Sequence, residues 1–297
     1  MSQSNSPFLD LASLAALARL RFVARRHIEG PYSGRHRSRQ KGGSGEFVDF
    51  REYSGSEDLR RLDWKTYSRT GKAFVRLHQE ETNMLCTLAI DASGSMDLGE
   101  GETNKLRYAK FLTTALSYLI SLGQDQVGLA VLGEKLLEDM PPRSTSQHVV
   151  TLQRLIEKLE TKPTTRMSDS LEQLFQLGRQ RGVLLILSDF LMEDLQETFS
   201  VLRQFRHRGW EVITLHLIHP DEERLPEALA CRFEGLEGEG NVDCSPDAIR
   251  VAYQRIFEEH LSTVRQMALA SNCDYRRVST AVPYLEELGE LLVERNG

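Results

Sequence analysis

The amino-acid sequence predicts an α/β fold built on a doubly wound, mostly parallel sheet of the Rossmann type. Residues 85–90, 126–132 and 182–187 form strand-length apolar runs, separated by segments with helical spacing of their apolar residues. Strands that are apolar on both faces are typical of a parallel sheet covered by helices on each side. Two of these runs end in a carboxylate, at Asp91 and at Asp189. In such sheets the carboxyl ends of the strands are where ligands bind.

The composition is that of a folded protein. The chain has 297 residues, of which 40% are hydrophobic, so it can bury a sizeable core. No segment approaches about 20 uninterrupted apolar residues, so no transmembrane span is expected. The cysteines show no CxxC pair and no Cys/His spacing for zinc; they are Cys86, Cys231, Cys244 and Cys273. This pattern predicts a reducing, cytoplasmic setting without disulfides.

The first 80 residues differ in charge from the remainder. They carry fifteen Lys and Arg against nine Asp and Glu, whereas the whole chain has a net charge of −6. Ser6-Pro7 predicts the start of a helix over 8–27. A basic cluster over 19–41 could bind phosphates or anionic lipids. We favour a solvated face, because no aromatic residues interleave to stack bases, and nucleic acid binding is therefore not expected.

The other elements follow from apolar periodicity and from Gly and Pro positions. Strands are predicted at 46–53, 72–79, 134–139, 211–218 and 275–279. Helices are predicted at 104–122, 146–159, 168–180, 194–208, 246–271 and 283–293, a short helix or turn at 58–67, and a hairpin at 230–244. Their alternation after residue 80 completes the α/β pattern.

The loop after the first buried strand carries the most informative cluster. Asp91, Ser93 and Ser95 offer one carboxylate and two hydroxyls, and Gly94 allows a tight turn between the serines. This set of hard oxygen atoms suits Mg²⁺ or Mn²⁺ better than zinc. Asp and Ser after a strand are also ordinary turn and cap residues, and in isolation that interpretation is at least as good.

Two further loops favour the metal site. Thr165 precedes a predicted helix, and Asp189 follows a second buried strand. With Asp91, Ser93 and Ser95, these residues resemble the metal-ion-dependent adhesion site of von Willebrand factor A-like domains. That resemblance implies a von Willebrand factor A-like fold and a metal-ligand set of Asp91, Ser93, Ser95, Thr165 and Asp189. Thr164 is an alternative to Thr165.

The segment before this domain has an unusual density of Arg, Asp, Tyr and Trp. It resembles the N-terminal signature of the bacterial family known as domain of unknown function fifty-eight, through Gly34, His36, Ser38, Glu46-Phe47, Arg51, Tyr53, Asp58, Arg60, Asp63-Trp64 and Ser68-Arg69. Its Arg and Asp residues are expected to form a structural ion network. Arg60 and Trp64 are expected to hold this region on the sheet domain if the Trp64 ring is buried; the alternative is an exposed ring that contacts a partner. We therefore divide the chain into a basic region at 1–80 and a von Willebrand factor A-like domain at 81–297.

The family resemblance also implies a partner, because that family is associated with MoxR-type AAA+ ATPases. The expected function is a non-catalytic, metal-dependent adaptor or co-chaperone of such an ATPase, with a partner carboxylate completing the Mg²⁺ site. One alternative is a Mg²⁺-dependent phosphoryl-transfer or hydrolytic enzyme. It is disfavoured because Ser93 replaces the second carboxylate of an Asp-x-Asp motif, and P-loop and Gly-x-Ser-x-Gly motifs are absent. The other alternative is an anionic-surface or nucleic-acid binder acting through residues 19–41.

Overall fold

The structure is a computed structural model that describes residues 6–17, 19–20, 22–24, 33–38, 46–53, 63–82, 84–163, 165–179, 181–228, 230–238 and 240–296. The chain divides into two compact units. One comprises residues 1–25 and 85–297, and the other comprises residues 26–84.

The elements run in the following order: α1 Leu11–Leu17, β1 Ser33–Ser38, β2 Glu46–Glu52, α2 Trp64–Thr70, β3 Phe74–Thr82, β4 Leu85–Asp91, a 3₁₀ turn Gly94–Asp97, α3 Lys105–Leu122, β5 Gln126–Leu132, β6 Leu136–Arg143, α4 Ser146–Glu157, α5 Met167–Gln176, β7 Val183–Ser188, α6 Leu195–His207, β8 Glu211–Ile218, α7 Pro220–Glu223, β9 Cys231–Glu234, β10 Asn241–Cys244, α8 Pro246–Ala270, β11 Asp274–Ser279 and α9 Tyr284–Asn296.

The larger unit is organised around a sheet with the strand order β11-β8-β7-β4-β5-β6. Neighbouring strands are parallel except for the antiparallel edge pair of β5 and β6. The strand order reverses at β4, which has β5 on one side and β7 on the other. The predicted α/β class with a doubly wound, mostly parallel sheet is therefore confirmed, and β4 lies at its switch point.

The apolar runs of the sequence form the buried strands. Every residue of β7 and β8 is buried, and β4 and β5 are buried after their first residue. Asn104 caps α3 as expected, because its side-chain oxygen accepts a hydrogen bond from the Arg107 N–H at 2.9 Å. The edge strand β6 continues through Pro141 and Pro142, which an outermost strand tolerates, so the expected end at residue 139 was too early.

The N-terminal helix is shorter than predicted, since α1 spans Leu11–Leu17 instead of residues 8–27. The Asp10 carboxylate accepts a hydrogen bond from the Ala12 N–H, so the helix begins after Asp10 and not after Ser6. Residues 1–25 group with the sheet unit, which differs from the predicted boundary at residue 80. The physical reason is packing: the Phe8 ring lies edge-on to Phe111 at 4.9 Å between centroids.

The smaller unit contains a three-stranded antiparallel sheet in the order β1-β3-β2. Asp63 caps α2 through its side chain, and Gly71 ends that helix in a left-handed conformation. Trp64 is 59% exposed, which agrees with the alternative of an exposed ring and not with a buried one. Asp58 and Arg60 lie outside the described residues, so the ion network predicted around them stays a prediction.

Among the helices in the described ranges, none is both long enough and apolar enough to cross a membrane.

Candidate metal centre

The predicted site lies at the carboxyl end of β4, the strand at which the strand order of the sheet reverses. Asp91 is the last residue of β4, and the loop beyond it turns into the 3₁₀ turn at Gly94–Asp97. The loop before α5 runs beside it, because the Lys162 N–H donates to the Ala92 carbonyl at 2.7 Å. The fold thus brings the loops carrying Asp91 and Thr165 to one edge of the sheet.

Asp91 is a buried carboxylate that the protein holds from two sides. Its Oδ1 accepts a hydrogen bond from the Ser93 N–H at 2.9 Å, and its Oδ2 accepts one from the Ser188 hydroxyl at 2.6 Å. Burial raises the pKa of Asp91, and the neighbouring charge of Asp189 raises it further. The Asp91 carboxylate is therefore fixed in position, and no cationic group is among the described neighbours that shift its pKa.

Two of the three hydroxyls in the predicted set are close to each other. Ser93 Oγ and Ser95 Oγ lie 3.0 Å apart. Thr165 Oγ1 is buried, and within the described part of the chain it has no hydrogen-bond partner. A buried hydroxyl without a partner is costly, and a bound cation would satisfy it. Thr164, the alternative, lies outside the described residues.

Asp189 is paired with a lysine that the sequence analysis missed. Lys105, the first residue of α3, is completely buried, and its Nζ lies 2.5 Å from Asp189 Oδ2 and 2.6 Å from Glu222 Oε1. Burial lowers the pKa of Lys105, but the two carboxylates outweigh this and the net shift is upward. Burial raises the pKa of Glu222, although Lys105 opposes that shift. One ammonium is thus shared by two buried acids.

Glu237 is a second residue near the site that was not predicted. It lies in the turn between β9 and β10, and its Oε1 accepts a hydrogen bond from the Ser95 N–H at 3.1 Å. The same turn contacts Gly94: a Cβ atom at that position would lie 2.3 Å from the Leu236 carbonyl oxygen. Neither Lys105 nor Glu237 belongs to a local motif, so the sequence offered no signal for them.

The donor set fits a hard cation. Ser93 contacts both Asp91 and Ser95, and Asp189 acts on Asp91 through its charge. Thr165 carries a buried hydroxyl without a hydrogen-bond partner in the described residues. Across the described ranges, no three His, Cys, Asp or Glu side chains come together to hold a metal. A metal here would therefore depend on hydroxyl ligands beside two carboxylates, which is a set suited to Mg²⁺ or Mn²⁺ and poorly suited to zinc.

Fold and site together define an α/β protein with an oxygen-rich cluster at the switch point of its sheet. The chain belongs to the family described as "Protein of unknown function DUF58", whose model matches residues 49–263. Uncharacterized proteins of Mycobacterium bovis and Mycobacterium tuberculosis are each 27% identical over 293 residues, which cover 95% of this chain and 89% of theirs.

Solved structures show weaker likeness. BatB, a conserved hypothetical protein from Bacteroides thetaiotaomicron, is 16% identical with a TM-score of 0.48, covering 71% of this chain and 98% of its own. The SpRpn10 VWA domain is 11% identical with a TM-score of 0.39, covering 68% of this chain and 92% of its own. Because both TM-scores are low, the fold assignment rests on the strand order and not on these likenesses.

Proposed function

We propose that this chain is a non-catalytic, metal-dependent protein-binding module with a von Willebrand factor A-like domain. Its metal centre would comprise Asp91, Ser93, Ser95, Thr165 and Asp189, and its partner would be a MoxR-like AAA+ ATPase for which it is an adaptor or co-chaperone. The observation that carries this proposal is the loop after β4, where the hydroxyls of Ser93 and Ser95 lie 3.0 Å apart and a buried Asp91 has its pKa raised by burial and by the charge of Asp189. The cytoplasmic setting predicted from the cysteines is part of the same proposal.

The residues have distinct roles in this centre. Ser93, Ser95 and Thr165 would supply neutral oxygens, while Asp91 and Asp189 would supply charge, directly or through water. A bound Mg²⁺ or Mn²⁺ supplies an electrophilic position that a carboxylate of the partner can occupy. The protein contributes rigidity, because Ser188 and the Ser93 N–H fix both oxygens of Asp91.

The same hydrogen bonds argue against an enzyme that uses Asp91 as a nucleophile. Each carboxylate oxygen accepts one hydrogen bond, which lowers its nucleophilicity, while its second lone pair can still bind a cation. A binding role requires only that the oxygens hold a cation. We therefore prefer the binding module over the phosphoryl-transfer alternative.

Calorimetric titration with Mn²⁺ tests the metal centre. Asp91→Asn keeps the shape of the side chain and should abolish binding, because it removes the best-positioned carboxylate. Asp169→Asn is the matched control, since Asp169 is an exposed acid on α5, close in sequence to Thr165. Equal Mn²⁺ affinity in the two variants would remove Asp91 from the site.

Partner binding is tested separately. Affinity for a MoxR-like ATPase, measured at fixed ionic strength, should be high in Mg²⁺ and lost in EDTA. Ser93→Ala, Ser95→Ala and Thr165→Ala should each weaken it, and Thr164→Ala should not. Equal affinity across this panel would contradict a metal ion bridging the two proteins, even if they still associate through the basic segment at residues 19–41.

A further inference from the structure

The turn between β9 and β10 covers the loop that carries the two serines. An ideal Cβ on Gly94 would lie 2.3 Å from the Leu236 carbonyl oxygen and 3.0 Å from Glu237 Cγ. The contact is therefore between backbones, and a side chain at position 94 would prevent it. Position 94 therefore requires glycine for two reasons: the tight turn of its own loop and the close approach of the hairpin.

This contact brings the carboxylate of Glu237 to the backbone of the loop that carries the two serines. Glu237 Oε1 accepts the hydrogen bond from the Ser95 N–H at 3.1 Å, and the Ser95 hydroxyl in turn lies 3.0 Å from that of Ser93. Glu237 is half-buried and is separated from Ser95 by 142 positions in the chain. The hairpin thus brings to the serine loop the same chemical group that the proposed function expects from a partner protein.

In the described structure the hairpin strands pair with each other and not with the central sheet. Strands β9 and β10 have four residues each and form a separate two-stranded sheet. Two-stranded hairpins of this size are marginally stable by themselves. Gly238 and Gly240 both have positive φ values, of 93° and 89°, so the turn depends on glycine and carries little packing of its own.

We propose that Glu237 is an internal carboxylate ligand that occupies the partner's position at the metal centre until a partner displaces it. This inference rests on the proposed function. Because Glu237 is tethered, its effective concentration at the site is on the order of millimolar, and a partner must compete with it. The apparent affinity for a partner is then reduced by the fraction of molecules in which the hairpin turn is closed.

A purely structural role for Glu237 makes a different prediction. If its carboxylate only accepts the Ser95 N–H, then glutamine serves equally well, since the amide oxygen of Gln has the same reach. Glu237→Gln therefore separates the charge from the hydrogen bond. Glu234→Gln is the matched control, because Glu234 is an exposed acid on the same hairpin.

The experiment uses the full chain with Mn²⁺ as the probe and acetate as the stand-in for a partner's carboxylate. Glu237→Gln should lower Mn²⁺ affinity by about 10–100-fold relative to Glu234→Gln, because a charged ligand is lost. Water-proton relaxation should show one more exchangeable water on the bound Mn²⁺. Added acetate should remove that water in Glu237→Gln and change little in the wild-type protein, where Glu237 already fills the position.

Two outcomes would overturn the inference, and they are distinguishable. If Asp91→Asn loses Mn²⁺ while Glu237→Gln matches Glu234→Gln in affinity and relaxation, the metal centre stands and Glu237 only caps the Ser95 N–H. If the wild-type protein binds no Mn²⁺, the metal centre and the internal ligand both fail. Thermal melting of each variant, followed by circular dichroism, confirms that the fold is intact.

Discussion

Lys105 is the residue whose replacement tests the description of the site most severely. Its side chain is completely buried, and its ammonium is shared between Asp189 at 2.5 Å and Glu222 at 2.6 Å. Lys105→Met keeps the length and most of the volume of the aliphatic stem, so the cavity left behind is small. What it removes is the one positive charge that these two buried carboxylates share in the described structure.

The expected loss of stability follows from this geometry. Removing one partner of a buried ion pair costs about 3–5 kcal/mol, because the remaining charges are left buried without compensation. For a unit of this size, each kcal/mol lowers the melting temperature by about 2–4 °C, so Lys105→Met should melt roughly 10 °C below wild type. Adding Glu222→Gln removes one of the two acids that Lys105→Met leaves without a cation. The double variant should therefore lose less free energy of unfolding than the sum of the losses in the two single variants.

Urea denaturation followed by circular dichroism measures this prediction. Lys135→Met is the control, because Lys135 is an exposed lysine in a turn and its loss should change stability by about 0.5 kcal/mol or less. Mn²⁺ should stabilise Lys105→Met more than wild type, since Asp189 is then free of its ammonium and a bound cation favours the folded state. If the free energy of unfolding of Lys105→Met lies within about 1 kcal/mol of the wild-type value, with and without Mn²⁺, then Lys105 does not compensate the buried charges of Asp189 and Glu222.

Two further predictions concern the surface and the thiols. Trp64→Ala should cost about 1 kcal/mol or less in a urea titration, because the ring is 59% exposed and contacts Tyr67 edge-on; a cost of about 3–5 kcal/mol would mean that the ring is buried after all. Alkylation of the native protein, read by mass spectrometry, should modify the half-buried hairpin thiols of Cys231 and Cys244 first. The thiols of Cys86 and Cys273 should react later, because burial raises the pKa of both, to about 12 for Cys273. Early modification of the second pair would contradict the described core.

The central sheet was predictable because its strands carry a strong and simple signal. A run that is apolar on both faces and ends in a carboxylate leaves few alternatives, and β4 and β7 form where those runs lie. The N-terminal helix carried a weaker signal. Its leucine spacing continues past Leu17, but the structure turns there, with the Leu20 N–H donating to the Leu17 carbonyl at 2.8 Å. Periodicity alone does not show where a helix stops.

The candidate site was predictable only in its local part. The contacts among Asp91, Ser93 and Ser95 are made within one loop, so their spacing in the sequence encodes them. Lys105 meets Glu222 across 117 positions, and Ser95 meets Glu237 across 142. Such contacts depend on how the whole sheet is wound, and nothing in the residue types at those positions indicates them.

The charges at this edge of the sheet explain why a divalent cation suits it. The buried acids Asp189 and Glu222 share the ammonium of Lys105, whereas the buried Asp91 has the negative charge of Asp189 as its charged neighbour. His216 cannot supply the missing charge, because burial, helped by His260, lowers its pKa to about 3 and keeps the ring neutral. Burial raises the pKa values of Asp91 and Glu222, so without a cation these acids tend to take up protons. In the proposed metal centre, a Mg²⁺ or Mn²⁺ ion held by the oxygen atoms of Ser93, Ser95 and Thr165 would offer that compensation, and it would leave a position for a further carboxylate.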